Sequence, residues 1–117
     1  MPYARITTNV SKDGVNAVEV SSAVAKTLEE VWGIPAAVSM SLQPAKGDLA
    51  GSLLQPAAFV NAYPIGLDRK LNPKAIAALT TTVSEQLKVP AERIYVVLGS
   101  VEVGYWGSGR PAWHRAP

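Results

Sequence analysis

The 117-residue sequence contains no cysteine and a single histidine, His114. Without cysteine there is no disulfide framework, no thiolate metal site and no cysteine nucleophile. One histidine excludes a multi-histidine metal site and speaks against a His-dependent triad. Charge is scarce too: 17% of residues are charged, and 11 Lys+Arg against 9 Asp+Glu give +2, too little for a dedicated nucleic-acid surface. No apolar run approaches the ~20 residues that cross a bilayer. The start, Met1-Pro2-Tyr3-Ala4-Arg5, lacks the basic and apolar stretches of a signal peptide. A cytoplasmic protein without nucleic-acid or membrane partners is therefore expected. Neither G-x-x-x-x-G-K-[ST] nor G-x-G-x-x-G occurs, which removes the glycine-rich phosphate cradles. The adjacent acids Glu29 and Glu30 point in different directions on a helix and read as solvated surface.

What the chain does have is apolar content, at 48%. A chain of this size buries roughly 60–70% of its unfolded surface, enough for a core without cross-links. One domain over residues 1–117 is expected. So much apolar content beside so little charge implies a covered surface, and hence an oligomer.

Pro2 to Val10 reads as a strand, with Ile6, Thr7, Thr8 and Val10 favouring extended backbone. Ser11-Lys12-Asp13-Gly14 is turn chemistry. From Asn16 to Trp32, Ala17, Val20, Val24, Leu28 and Val31 recur at three and four residues and predict a helix, closed by Gly33 and Pro35. Val38 to Leu42 alternates apolar and polar, the period of a half-buried strand. Gln43 to Gln55 reads as a loop, Ala57 to Tyr63 as a third strand stopped by Pro64, and Ile65 to Asp68 as a second loop. Asn72 is the expected cap and Pro73 the first residue of a second helix, with Ile76, Leu79, Val83 and Leu87 as its apolar stripe. Pro90 ends that helix, and Arg93 to Leu98 forms the fourth strand. The glycine-rich tail from Gly99 reads as a short hairpin or an edge segment.

The order is thus β-α-β followed by β-α-β, and the halves align at an offset of 55 residues, Val20 on Ala75, Leu28 on Val83, Pro35 on Pro90. That offset marks an internal duplication candidate, although any two amphipathic helices align in part. The expected fold is an α+β two-layer sandwich: duplicated β-α-β units giving a four-stranded mixed sheet with two helices on one face. The other face would be bare in a single copy, and a symmetric ring of sheets would cover it.

Few side chains offer base chemistry. Gly107-Ser108-Gly109 reads as a turn, the three tryptophans as core or interface, and His114 as idle near the C-terminus. The remaining candidate is Pro2. Loss of Met1 would leave a secondary amine fixed at a strand end. An α-amino group titrates near 7.7–8.0, and burial or nearby positive charge lowers that value toward the range suited to proton transfer beside a carbonyl.

Pro2 opening a strand that ends in Thr8-Asn9-Val10 resembles the macrophage migration inhibitory factor family of the tautomerase superfamily. The resemblance continues through Gly33-Ile34-Pro35, Ser41-Leu42-Gln43-Pro44, Pro64-Ile65-Gly66 and Pro90-Ala91-Glu92-Arg93-Ile94-Tyr95-Val96, and spans Pro2 to about Trp113. It implies a homotrimer with a central barrel of sheets. It also implies keto–enol tautomerisation of a small aromatic α-keto acid such as phenylpyruvate, with no cofactor, at sites between subunits. Pro2 matches the family's general base. Ile65 matches the residue whose backbone N–H meets the substrate, and Tyr95 the tyrosine contributed by a neighbouring subunit. Val103-Gly104-Tyr105 resembles the glycine–aromatic pair near the family's C-terminus, which places Tyr105 and Trp106 at the pocket beside Trp113, where the family has phenylalanine.

The departures carry chemistry as well. Ile34 stands where the family commonly has the lysine that receives the substrate carboxylate and helps keep the proline amine neutral. Pro64 replaces a serine, and Val97 an asparagine that lines the pocket. Losing a charge-assisted hydrogen bond costs on the order of 1.5–3 kcal/mol, so weak phenylpyruvate turnover is expected unless Arg5, Arg69, Lys70 or Arg110 reaches the pocket. The alternative is a non-enzymatic interaction protein on the same trimeric fold, since family members also act as signalling proteins released without a signal peptide. A decarboxylase or dehalogenase has less support, because no arginine pair stands near Pro2 in the sequence.

Overall fold

The computed structural model describes residues 2–42, 55–64, 68–99, 101 and 105. The elements are β1 (Tyr3–Thr8), α1 (Ala17–Trp32), β2 (Ala37–Leu42), β3 (Ala58–Tyr63), α2 (Asn72–Leu87) and β4 (Ile94–Leu98), with 3-10 turns at Lys12–Gly14, Arg69–Leu71 and Ala91–Arg93. The loop expected over Gln43 to Gln55 lies outside the described residues except for Gln55. So do Ile65 to Leu67 and the tail apart from Gly99, Val101 and Tyr105.

The four strands form one sheet in the order β2-β1-β3-β4. β1 runs parallel to β2 and antiparallel to β3, and β3 runs parallel to β4. Each β-α-β unit thus supplies a parallel pair, and the units join along the antiparallel β1–β3 seam. The expected mixed α+β architecture is the one observed.

Period two along β1 sorts its faces. Ala4, Ile6 and Thr8 are buried under the helices, as are Ala58, Val60 and Ala62 of β3. The helices add Val20, Val24, Leu28 and Trp32 from α1 and Ala75, Leu79, Val83 and Leu87 from α2. Fully burying a valine or leucine is worth roughly 1.5–3 kcal/mol, so this layer accounts for most of the favourable free energy. The stripe on α2 starts at Ala75, whereas Ile76 is 40% exposed, because the spacing that carries Leu79, Val83 and Leu87 inward reaches back to residue 75. On α1 the stripe closes on Trp32, and Ala17 is exposed.

The other face carries three rows set by strand register. One row runs Ala37, Tyr3, Tyr63; the next Ser39, Arg5, Asn61, Val97; the last Ser41, Thr7, Phe59, Tyr95. No described helix covers it.

The helices obey the duplication closely. Thr27 of α1 and Thr82 of α2, 55 residues apart, hydrogen-bond to each other through their hydroxyls at 2.6 Å. Equivalent residues meet directly only where a local two-fold axis passes between them. Both helices also end on a left-handed residue at matching positions, Gly33 (φ 76°) and Lys88 (φ 56°). Gly33 N–H closes its helix onto Glu29 O.

Beside one-residue shifts at the starts of β1, β2 and β3, three boundaries differ from expectation for a visible reason. β1 stops at Thr8 because the Thr8 hydroxyl accepts the Val10 N–H and donates to Ala57 O at 2.7 Å. β4 begins at Ile94, as Ala91–Arg93 is a 3-10 turn. Asn72 does not cap α2: it already has helical backbone, and its Oδ1 is buried without a partner. The cap is used one turn earlier, where the Asp68 side chain accepts the Lys70 N–H at 2.9 Å and the 3-10 turn runs straight into the helix.

The left-handed pair yields a stability test. Lys88→Gly removes a Cβ from an unfavourable conformation and should stabilise the fold by about 1 kcal/mol, whereas Gly33→Ala should cost about as much. Thermal melts should move in opposite directions by on the order of 4 °C.

Candidate active site

Pro2 immediately precedes β1, which like β3 is held on both edges. Its carbonyl accepts the Ala37 N–H at 2.9 Å, and its ring is fully buried on the same side as Ala4 and Ile6. The residue is therefore fixed at one end of the sheet, between the start of β2 and the end of β3. Ile34 lies on the connection from α1 to β2, three residues before Ala37, and packs partly buried against the core. The Ile34 side chain thus gives this position apolar packing, as its residue type implies.

Tyr95 and Val97 stand on the helix-free face, 40% and 53% exposed. The Tyr95 ring stacks on Phe59, with centroids 5.0 Å apart and planes 20° from parallel. Phe59 pairs with Thr7, five residues along β1 from Pro2, a displacement of about 17 Å at ~3.4 Å per residue. Tyr95 of one chain is thus not brought to Pro2 of the same chain. Tyr105 is 82% exposed. Ile65, Trp106, Trp113 and His114 lie outside the described residues, as does Arg110.

Beside Pro2 the structure places an aromatic pair that sequence reasoning missed. The Tyr3 and Tyr63 rings stack with centroids 6.0 Å apart, and the Tyr3 hydroxyl hydrogen-bonds Ser39 Oγ at 3.1 Å. Gly99 N–H donates to Ala62 O at 2.8 Å, and a Cβ on Gly99 would overlap the Tyr63 ring. The signal was available in part: Tyr3 and Tyr63 are aromatic residues at the two ends of adjoining strands. Their register required knowing that β1 and β3 are neighbours.

The far end of β1 is a structural clamp. Asn9 accepts the Ala57 N–H at 2.9 Å and donates to Gln55 O at 3.0 Å, so its carboxamide stands in for a strand partner. Arg93 donates to Pro56 O and Gln55 O at 2.9 and 3.1 Å. The Thr8-Asn9 motif therefore registers the two halves, and Arg93 is committed to main chain.

Among the described residues no cluster of His, Cys, Asp or Glu could hold a metal ion, and no helix is long and apolar enough to cross a membrane. A shallow groove of about 440 Å³ lies between the helices, lined by Thr27, Glu30, Lys74, Ala77, Ala78, Thr81 and Thr82. It contains neither Pro2 nor any residue of its surroundings.

The duplicated, mixed four-stranded sheet with two helices on one face is the fold class of the macrophage migration inhibitory factor structures. The chain belongs to the macrophage migration inhibitory factor family, whose model matches residues 1–109. Among solved structures, the macrophage migration inhibitory factor from Oncomelania hupensis is similar at TM-score 0.83 and 18% identity, covering 98% of this chain and 99% of that one. The homologue from Prochlorococcus marinus is similar at TM-score 0.80 and 21% identity, covering 96% and 99%. A protein called Pt0534, solved after inactivation by 2-oxo-3-pentynoate, is similar at TM-score 0.81 and 20% identity, covering 94% of each chain. None of the curated proteins matches the chain. At these identities the structures establish shared fold.

Gly99→Ala should force the Tyr63 ring off Tyr3 and destabilise the chain by about 1–3 kcal/mol, the usual cost of overpacking. Loss of the near-ultraviolet tyrosine dichroism together with a lower melting midpoint is the expected result. An unchanged spectrum and midpoint would show that the ring contact is dispensable.

Proposed function

We propose that this protein is a cofactor-independent, trimeric tautomerase acting on a small 2-oxo acid or related carbonyl compound, with Pro2 as general base. The observation that carries this reading is the fixed, buried placement of Pro2 at the head of β1, one of the two inner strands. With Met1 removed, its secondary amine takes the proton from the carbon beside the keto group. The electron pair moves onto oxygen, and the enol forms when that oxygen is protonated. The reverse sequence returns the ketone. The backbone N–H that would face the developing oxyanion is assigned by resemblance to Ile65.

Trimerisation is part of the reading. Tyr95 is about 17 Å along the sheet from Pro2 within one chain, so a pocket that uses both takes them from different copies. Inactivation of the Pt0534 protein by an acetylenic 2-oxo acid supports a 2-oxo acid substrate class here.

Ile34 weakens the grip on a substrate carboxylate. Among the described cations, Arg93 holds main-chain carbonyls, Arg5 lies on the helix-free face, and Arg69 and Lys70 are exposed on the 3-10 turn before α2. Phenylpyruvate turnover is therefore weak, and an uncharged ester is preferred. Ile34 also favours a second reading, a family member whose trimer serves as an interaction surface without catalysis.

The discriminating experiment confirms loss of Met1 by intact mass, then compares ketonisation of phenylpyruvate and of its methyl ester in wild type and Pro2→Gly. A fall of about 100-fold or more in Pro2→Gly, at the low end for a general base, is expected. Equal rates in both proteins would overturn the enzymatic reading in favour of the interaction protein. Ile34→Lys should raise kcat/KM for phenylpyruvate by roughly 10- to 100-fold, the worth of one charge-assisted hydrogen bond. The ester should gain far less, and an equal gain on both would show that carboxylate capture is not what Ile34 lacks.

A further inference from the structure

The Tyr3–Tyr63 stack has no role in the scheme above, yet it lies where β1 needs support. The two ends of β1 are held by different means. At the far end, the Thr8 and Asn9 side chains bond the main chain of Ala57 and Gln55. At the near end, Pro2 is tied to β2 through Ala37 N–H and Pro2 O, and the β1–β3 register runs out at Tyr3 and Tyr63. Strand ends are where local opening concentrates. Here a ring stack closes the end. Tyr3 lies against Tyr63 with planes 22° apart, and its hydroxyl bonds Ser39 Oγ on β2. The Tyr63 ring rests over Gly99, which is itself fixed by its N–H to Ala62 O. The Pro2 ring packs on the helix side of the same strand end, and the tyrosines hold that end from the other face.

We propose that Tyr63 is a positioning residue for Pro2. Its ring, wedged between Tyr3 and Gly99, keeps the head of β1 in place and with it the amine that follows removal of Met1. The inference rests on the reading of Pro2 as general base, and it needs only one copy of the chain. Cross-strand aromatic pairs shift a closed-to-open equilibrium by about 2- to 10-fold. A catalytic group displaced by about 1 Å can lose on the order of 100-fold in rate. Tyr63 therefore acts on the reaction through Tyr3 and the peptide that joins it to Pro2, without touching substrate.

The test uses the full chain after loss of Met1 and follows amide hydrogen exchange at two positions. Ala37 donates to Pro2 O, and Ala57 donates to Asn9 Oδ1 at the far end of β1. Tyr63→Leu should speed exchange at Ala37 by about 2- to 10-fold and leave Ala57 unchanged. It should also lower kcat for the phenylpyruvate ester by about fivefold or more, with KM within about twofold. Tyr63→Phe keeps the ring and should restore both. If Tyr63→Leu fails to fold, Tyr3→Leu takes its place with the same expectations. Unchanged exchange at Ala37 would overturn the proposal. Equal acceleration at both amides would overturn it too, because that marks a general loss of stability. So would faster exchange at Ala37 with kcat intact. Equal rates in wild type and Pro2→Gly would remove the general-base reading and this inference with it. A slow Pro2→Gly beside an undisturbed Ala37 in Tyr63→Leu would overturn this inference alone.

Discussion

The pairing of β1 on both edges is the constraint on which the rest of this structure depends. From Tyr3 to Thr8 every residue has a partner in β2 and another in β3. One strand therefore joins the two β-α-β units, sets which residues face the helices, and fixes where the chain begins. Pro2 inherits its position from this arrangement. Its carbonyl extends the β1–β2 ladder by one bond, so backbone geometry holds the residue as well as the packing around its buried ring. At the other end Thr8 and Asn9 finish the strand by bonding to the segment that leads into β3. Position at one end and register at the other are two results of the same seam.

Much of this was legible in the sequence, and the reasons differ by element. The helices declared themselves through Val20, Val24, Leu28 and Leu79, Val83, Leu87, because a helical turn is what gathers residues three and four apart onto one buried stripe. Pro35 and Pro90 set their limits, since neither can continue a helix. The faces of the strands were readable from period two. Their neighbours were not: alternation says which way a side chain points, and says nothing of which strand lies beside it. The Tyr3–Tyr63 stack was missed for that reason. Asn72 misled because asparagine before proline is a sound capping signal, and only the structure reveals that Asp68 already fills the role one turn earlier.

The candidate site divides in the same manner. Pro2 could be named from chemistry, by removing every other base the composition might supply, and the resemblance gave it a role. Ile34 could be named as a departure only against that family pattern. Its packing against the core adds that the change is more than one missing charge, because the position now contributes to the hydrophobic layer. Tyr95 and Val97 occupy the helix-free face as their alternation requires, yet their distance from Pro2 is a fact of register that no single strand contains.

The sheet order carries a further consequence. β2 and β4 are its outer strands, each paired on one side only among the described residues. An outer strand presents a row of N–H and C=O groups able to template another strand. Serines on β2 and the half-exposed Val97 on β4 offer little electrostatic deterrent, and none of the described residues in either strand is charged. A strand border without charge is held in register by backbone bonds and side-chain fit alone, so whatever closes these two borders must match them in shape.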